Sequence, residues 1–215
     1  MSDVVHQAVI DLVGALAYGE LTAFERLATD SRLAPSVLTK SQLAGMAVAE
    51  FGHYRKLVEY LERLGIQPEE AMAPFVEPLD AFHDMTAPSD WLEGLIKAYV
   101  GDGLAADFYR EVSQYVDGET RALVLEVLAD TGHAEFAVEH VRKAVAAQPA
   151  VAGRLTLWAR RLVGEALTQA QTVAVRRDAL ERLLTETGDL QGLAAMFTRI
   201  TDGHAERMAA LGLSG

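Results

Sequence analysis

Helical spacing of apolar residues is the feature that most constrains the fold of this chain. Strand-like alternation is almost absent, whereas apolar residues recur three, four and seven positions apart nearly throughout the sequence. Residues 41–65 show the pattern clearly, with apolar side chains at positions 43, 47, 54, 57, 61 and 64. Such a stripe is typical of an amphipathic helix that packs one face against a core. The sequence therefore predicts an all-α protein.

Breaking residues divide this pattern into six long helices. The predicted helices cover residues 3–28, 41–65, 89–115, 118–147, 152–184 and 189–211, and Ser89 is the expected N-cap of the third. Four of the six prolines fall in residues 66–88, which we predict to be a crossover with a short helix. Two helical hairpins joined by one long link form a four-helix bundle with a crossover. We assign residues 1–147 to the bundle and residues 148–215 to a C-terminal helical extension packed on it.

Composition excludes several classes of protein. The sequence contains no cysteine, which excludes disulfides and thiolate metal ligands, so any metal must be held by histidine and carboxylate side chains. No run approaches the roughly 18 apolar residues of a membrane span. The N-terminal residues lack the basic segment of a signal peptide, and we predict a cytoplasmic protein without membrane contact.

The net charge of −12 is unevenly distributed. Residues 1–150 hold 11 lysines and arginines against 24 aspartates and glutamates, whereas residues 151–215 hold 8 against 7. The acidic segment, residues 1–150, would repel a polyanion, so its charge does not support nucleic-acid binding. A local basic face could come only from arginines of the tail, namely Arg160, Arg161, Arg176, Arg177 and Arg182.

Each of the four bundle helices carries one carboxylate inside its apolar stripe. In chain order these residues are Glu20, Glu50, Asp102 and Asp130. The second and fourth helices add a histidine three residues later, His53 and His133, and this spacing places both side chains on one helix face. Counted along the antiparallel helices, the carboxylates of each hairpin lie at matching depth.

Burying these six side chains without partners would cost several kcal/mol for each group. Two divalent cations would remove the penalty, because four carboxylates balance two such ions while the imidazoles stay neutral. One carboxylate from each of two helices, with a carboxylate-x-x-His pair from each of the other two, is the di-iron or di-manganese arrangement. We therefore predict two iron ions, with manganese as an alternative, bound by all six residues. We predict no catalytic residue beyond these ligands.

The motifs that carry the site resemble a known family. They are Glu20, EFGH at residues 50–53, YVGDGLAADFY at 99–109 and ADTGHAEF at 129–136. The chain resembles the ferritin-like superfamily, and within it the actinobacterial proteins similar to the hydroxylases of the methylthio-isopentenyl-adenosine of tRNA. The resemblance implies a ferritin-like four-helix bundle and a di-iron site. The family pattern has glutamate where this chain has Asp102 and Asp130, so either its helices approach the metals more closely or a carboxylate changes its binding mode.

Three hypotheses about function follow from the sequence. The first is an oxygen-dependent di-iron hydroxylase that uses dioxygen, an organic substrate and an external electron donor, with a modified nucleoside of tRNA as the substrate class that the resemblance implies. The second is a ferroxidase or peroxide-scavenging protein, in which iron or peroxide is the substrate. The third is a metal-free helical module whose C-terminal helices bind a partner or form a homodimer.

Overall fold

The computed structural model describes residues 3–129, 133–176 and 190–214. Within these ranges every long element is a helix and no strand occurs, which confirms the predicted all-α class. A π-helical segment, Lys97–Gly101, joins α4 to α5. The α-helices are α1 Asp3–Asp30, α2 Val37–Arg63, α3 Pro68–Met85, α4 Trp91–Ile96, α5 Asp102–Val112, α6 Gly118–Val127, α7 His133–Ala147, α8 Val151–Arg176 and α9 Leu190–Leu211.

The first hairpin is closed by a capping box at the start of α2. The Ser36 hydroxyl accepts a hydrogen bond from the Thr39 backbone N–H at 3.1 Å, and the Ser36 N–H donates to the Thr39 hydroxyl at 3.2 Å. These bonds satisfy orphan groups of the first turn, so α2 begins earlier than the predicted residue 41. At its other end Gly65 has a φ of 75°, the left-handed conformation that commonly follows a helix.

The crossover contains a longer helix than predicted. The sequence favoured a short helix because of its prolines, yet α3 has 18 residues and includes Pro74 and Pro78 in its interior. It buries Phe75 and packs along α1, where Tyr18 donates a hydrogen bond to Asp80 Oδ1 at 2.7 Å. Packing against α1 therefore outweighs the backbone hydrogen bonds that the two prolines forfeit.

The second hairpin is less regular than predicted. The third bundle helix consists of α4, the π segment and α5, and its N-cap is Asp90 rather than Ser89, because Asp90 Oδ1 accepts from the Glu93 N–H at 3.0 Å. The fourth consists of α6 and α7, since α6 ends at Val127. Residues 130–132 lie outside the described ranges, and so do residues 177–189, where one predicted helix ends and the next begins.

Two hydrophobic cores run through the molecule, and the C-terminal helices contribute to one of them. The first core joins α1, α2 and α6 around Leu12, Leu57 and Val124. The second contains Leu162 of α8 and Met208 of α9 together with residues of α2, α4 and α7. The division at residue 147 stays a prediction. Among the described residues, no helix has the length and apolar character needed to cross a bilayer.

The close approach of α3 to α1 gives a test of this packing. A methyl group at Gly14 would overlap the backbone carbonyl of Ala71. We expect Gly14→Ala to lower the free energy of unfolding by about 2 kcal/mol, because backbone atoms must move to make room. Urea denaturation followed by circular dichroism measures the change. Gly164→Ala is the control, because a methyl group there meets nothing within 4 Å, and it should not destabilise the protein. Equal effects of both variants would contradict the packing.

Candidate metal centre

Three of the six predicted ligands meet between α1 and α2. His53 Nδ1 lies 3.2 Å from Glu50 Oε2 and 3.4 Å from Glu20 Oε2. All three side chains are largely buried, with 9% to 13% of their surface exposed. Each offers one ligand atom, and these atoms lie within 4.8 Å of one another, so the three residues could hold a metal ion.

A fourth predicted ligand reaches the same cluster from the second hairpin. His133 is the first residue of α7, and its Nδ1 lies 3.1 Å from Glu50 Oε1. The two oxygens of Glu50 therefore face two imidazoles from different helices. A carboxylate placed in this way is suited to bridge two metal ions, one on each side.

Of the two predicted aspartate ligands, Asp102 lies within the described residues and Asp130 does not. Asp102 begins α5 directly after the π segment. It is solvent-exposed and lines a small cavity. Loss of bulk water around the carboxyl, together with the negative charge of Glu50, nevertheless raises the pKa of Asp102 to about 7. Asp130 lies outside the described residues. That all six residues are ligands therefore stays a prediction.

The ionisable groups of the cluster shift one another strongly. Burial raises the pKa of Glu20 well above its ordinary value. Burial acts in the same direction on Glu50, but hydrogen bonds with His133 and His53 hold its pKa well below the usual range. The neighbouring carboxylates of Glu20 and Glu50 raise the pKa of His53 to about 9, against the effect of burial. Without metal, a protonated His53 thus supplies the positive charge between two carboxylates.

The residues present fit a metal ion of the first transition series. Glu20 Oε2 is buried and makes no hydrogen bond, although it faces His53 Nδ1. A buried carboxylate oxygen in this state gains a partner when a cation occupies the space between the three side chains. Carboxylate and imidazole together suit iron and manganese, as the sequence predicted.

Two cavities are lined by other predicted ligands, Asp102 and His133, and they differ greatly in size. The one that contains Asp102 has a volume of about 20 Å³, enough for one or two water molecules. The other is an open groove of about 410 Å³ that His133 lines between α2 and α7. This second volume is in the range of sites for organic ligands.

The small cavity contains a lysine that sequence reasoning missed. Lys97 is 5% exposed, its ammonium group donates to the Thr86 carbonyl at 3.0 Å, and burial lowers its pKa to about 8. His83 lines the same cavity and is buried, and burial lowers its pKa to about 3. In the sequence, the signal that could have pointed to Lys97 was its position five residues before Asp102.

Removal of Glu50 tests the bridging arrangement. We expect Glu50→Ala, purified without oxygen, to fall from about two irons per chain to none, because both oxygens that face the imidazoles are lost. Elemental mass spectrometry measures the metal content, and circular dichroism verifies that the helices form. Glu59→Ala is the matched control on α2, since Glu59 is exposed and pairs with Arg55. Two irons retained by Glu50→Ala would rule out a bridging role.

Metal affinity should depend on pH. His53, with its pKa of about 9, must lose a proton before Nδ1 can bind a metal. Protons compete below that pH, so Mn²⁺ affinity should rise between pH 6.5 and 8.5 by up to about tenfold per pH unit, with proton release on binding. Calorimetric titration in buffers of different ionisation enthalpy measures both quantities. An affinity that is flat over this range, without proton release, would contradict the assignment.

Comparison with known proteins agrees with this architecture. The family model described as a ferritin-like domain of actinomycetes matches residues 3–187. No curated protein matches the chain. The particular likeness to tRNA hydroxylases thus stays a hypothesis, and the cluster of Glu20, Glu50 and His53 fits a di-iron protein in general terms. The match covers most of the chain, which therefore belongs to the ferritin-like domain family of actinomycetes.

Proposed function

We propose that this protein is an oxygen-dependent di-iron hydroxylase. The observation that carries the proposal is Glu50, whose two oxygens lie 3.2 Å from His53 Nδ1 and 3.1 Å from His133 Nδ1. A carboxylate between imidazoles of two helices fits the carboxylate-x-x-His arrangement of di-iron and di-manganese bundles. The ferritin-like fold supports the same conclusion.

The predicted ligands act together in this proposal. Glu20, Glu50, His53 and His133 would hold the ions together with Asp102 and Asp130, and Glu50 would contribute an oxygen on the side of each imidazole. Two ferrous ions held there would supply the reduction of dioxygen and the oxidation of a substrate carbon. Hydroxylation with one oxygen atom of dioxygen consumes two electrons and two protons and forms water from the other atom. The chain has no cysteine for an iron–sulfur centre, so the electrons would come from a separate donor.

The groove beside His133 favours a hydroxylase over a ferroxidase. Its volume of about 410 Å³ is comparable to sites for small organic ligands, whereas a protein that oxidises iron alone needs no such space. We keep the ferroxidase or peroxide-scavenging protein as the alternative, and the metal-free module as the second.

A tRNA substrate receives little support from the described residues. The net charge is −12, and the groove is lined by two glutamates and no lysine or arginine. Among the tail arginines, Arg161 donates to the Met85 carbonyl oxygen at 2.5 Å. The side chains of Arg176, Arg177 and Arg182 lie outside the described part of the chain. Low affinity for tRNA that falls steeply with salt is therefore expected.

Oxygen isotope labelling tests the proposed reaction. The iron-loaded protein, supplied with a reductase, a reduced nicotinamide and a set of small organic compounds, should incorporate one atom of labelled dioxygen into an organic product. Mass spectrometry of the products measures the incorporation, and Glu50→Ala should abolish it. Fast oxidation of successive portions of ferrous iron without any labelled product would instead identify a ferroxidase. Failure of the protein to bind iron after reconstitution would leave the metal-free module.

A further inference from the structure

The groove beside the metal centre is built from matching faces of α2 and α7. On α2 the lining residues are spaced three, one and three apart, which is one face of a helix: Gln42, Gly45, Met46 and Ala49. On α7 the lining residues are His133, Glu135, Phe136 and Glu139. Ala49 directly precedes Glu50, and His133 Nδ1 lies 3.1 Å from Glu50 Oε1. One end of the groove therefore lies next to the metal centre on both helices.

The floor of the groove is apolar and held in place by aromatic contacts. Phe136 is 8% exposed, and its ring centroid lies 4.4 Å from that of His140 and 6.0 Å from that of Trp91 in an edge-on contact. Met46 is half-buried opposite, and its flexible thioether adapts to irregular apolar groups. The floor therefore suits a compact hydrocarbon or aromatic body.

The rim of the groove is acidic and uncompensated. Glu135 and Glu139 are exposed and lie four residues apart on one face of α7. Neither forms an ion pair or a hydrogen bond with any residue that the structure describes, and no lysine or arginine lines the groove. Two carboxylates beside an apolar floor complement a cation that carries an apolar group.

The rise of α7 also sets a length for the ligand. His133 and Glu139 are six residues apart, which corresponds to about 9 Å along the helix axis. Gln42 lies at a similar distance from Ala49 on α2, so both helices give the groove the same extent. A charged group held between Glu135 and Glu139 would lie about four residues from His133, or about 6 Å along the axis, which a chain of about five bonds spans.

We propose that this groove binds an organic amine, with its apolar body on Phe136 and Met46 and its ammonium group between Glu135 and Glu139. The far end of the amine then lies at His133, next to the metal centre. Binding stands on the groove alone, and only the oxidation of the bound amine rests on the proposed function.

A hydrated ferrous ion is the rival occupant, because an acidic groove also attracts metal ions on their way to the centre. The apolar floor offers no ligand to such an ion, and an ion needs only a fraction of the volume. These observations favour the organic cation, and the experiment separates the two occupants.

Binding to the metal-free protein is measured by calorimetry or ligand-observed NMR, with three probes that share one apolar body. The probes are 4-phenylbutylamine, 4-phenylbutanol and 4-phenylbutyrate. We expect the amine to bind about fivefold more tightly than the alcohol, which corresponds to the upper range for a solvent-exposed ion pair, and the acid to bind most weakly. The double variant Glu135→Gln with Glu139→Gln should remove the preference for the amine and keep the affinity for the alcohol.

Two control variants make the comparison specific. Glu69→Gln with Glu70→Gln changes the net charge equally on the exposed first turn of α3 and should leave the preference intact. Gly45→Leu should weaken all three probes, because a side chain there meets nothing within 4 Å and extends into the groove. Gly164→Leu, at an equally open glycine of α8, should leave all affinities unchanged.

The outcomes separate this proposal from the proposed function. An amine preference that survives in the Glu135/Glu139 double variant overturns the amine site, and so does the absence of binding by any probe. Slower ferrous loading in that variant, without amine binding, identifies the groove as an ion path and also overturns it. Amine binding with the expected variant pattern, but without oxidation of any bound amine by the iron-loaded protein, leaves the site standing and rejects only the hydroxylase.

Discussion

Two buried carboxylates that face a single imidazole nitrogen are the constraint on which the rest of the structure depends. Glu20 Oε2 and Glu50 Oε2 approach His53 Nδ1 to 3.4 and 3.2 Å, from two different helices. Such a cluster is costly to bury, and the raised pKa values of Glu20 and His53 mean that bound protons offset its negative charge when no metal is present. A divalent ion can take the place of these protons.

The helices that carry this cluster are held from outside by elements that contain no ligand. The crossover helix α3 packs so closely on α1 that Gly14 has no space for a side chain against Ala71. Helix α9 supports α5 in the same way, since Arg207 pairs with Asp107 at 2.5 Å and lies against Gly103, the residue after Asp102. A methyl group at Gly103 would lie 2.8 Å from Arg207. The C-terminal helices thus fix the position of the helix that presents Asp102.

Local sequence patterns correctly predicted the features that depend on the geometry of a single helix. They did not predict the features that depend on tertiary packing. The i, i+3 spacing placed Glu50 and His53 together, and periodicity gave the order of the bundle helices, because both follow from helical geometry alone. The length of α3 was wrong because apolar contacts with α1 outweigh its prolines. The π segment at Lys97–Gly101 has no clear signature in the sequence, since the extra residue per turn is stabilised by packing around it. Asp130 lies outside the described residues, so its role as a metal ligand rests on the sequence alone.

The two cavities near the centre differ in size, and the larger one bears on the choice between the proposed functions. The cavity that Asp102 lines has a volume of about 20 Å³, enough for one or two water molecules. On the side of His133 the groove of about 410 Å³ is open to solvent and accommodates a compact organic molecule. The groove beside His133 is the observation that favours an organic substrate over iron or peroxide, because an ion or a peroxide molecule needs only a fraction of its volume.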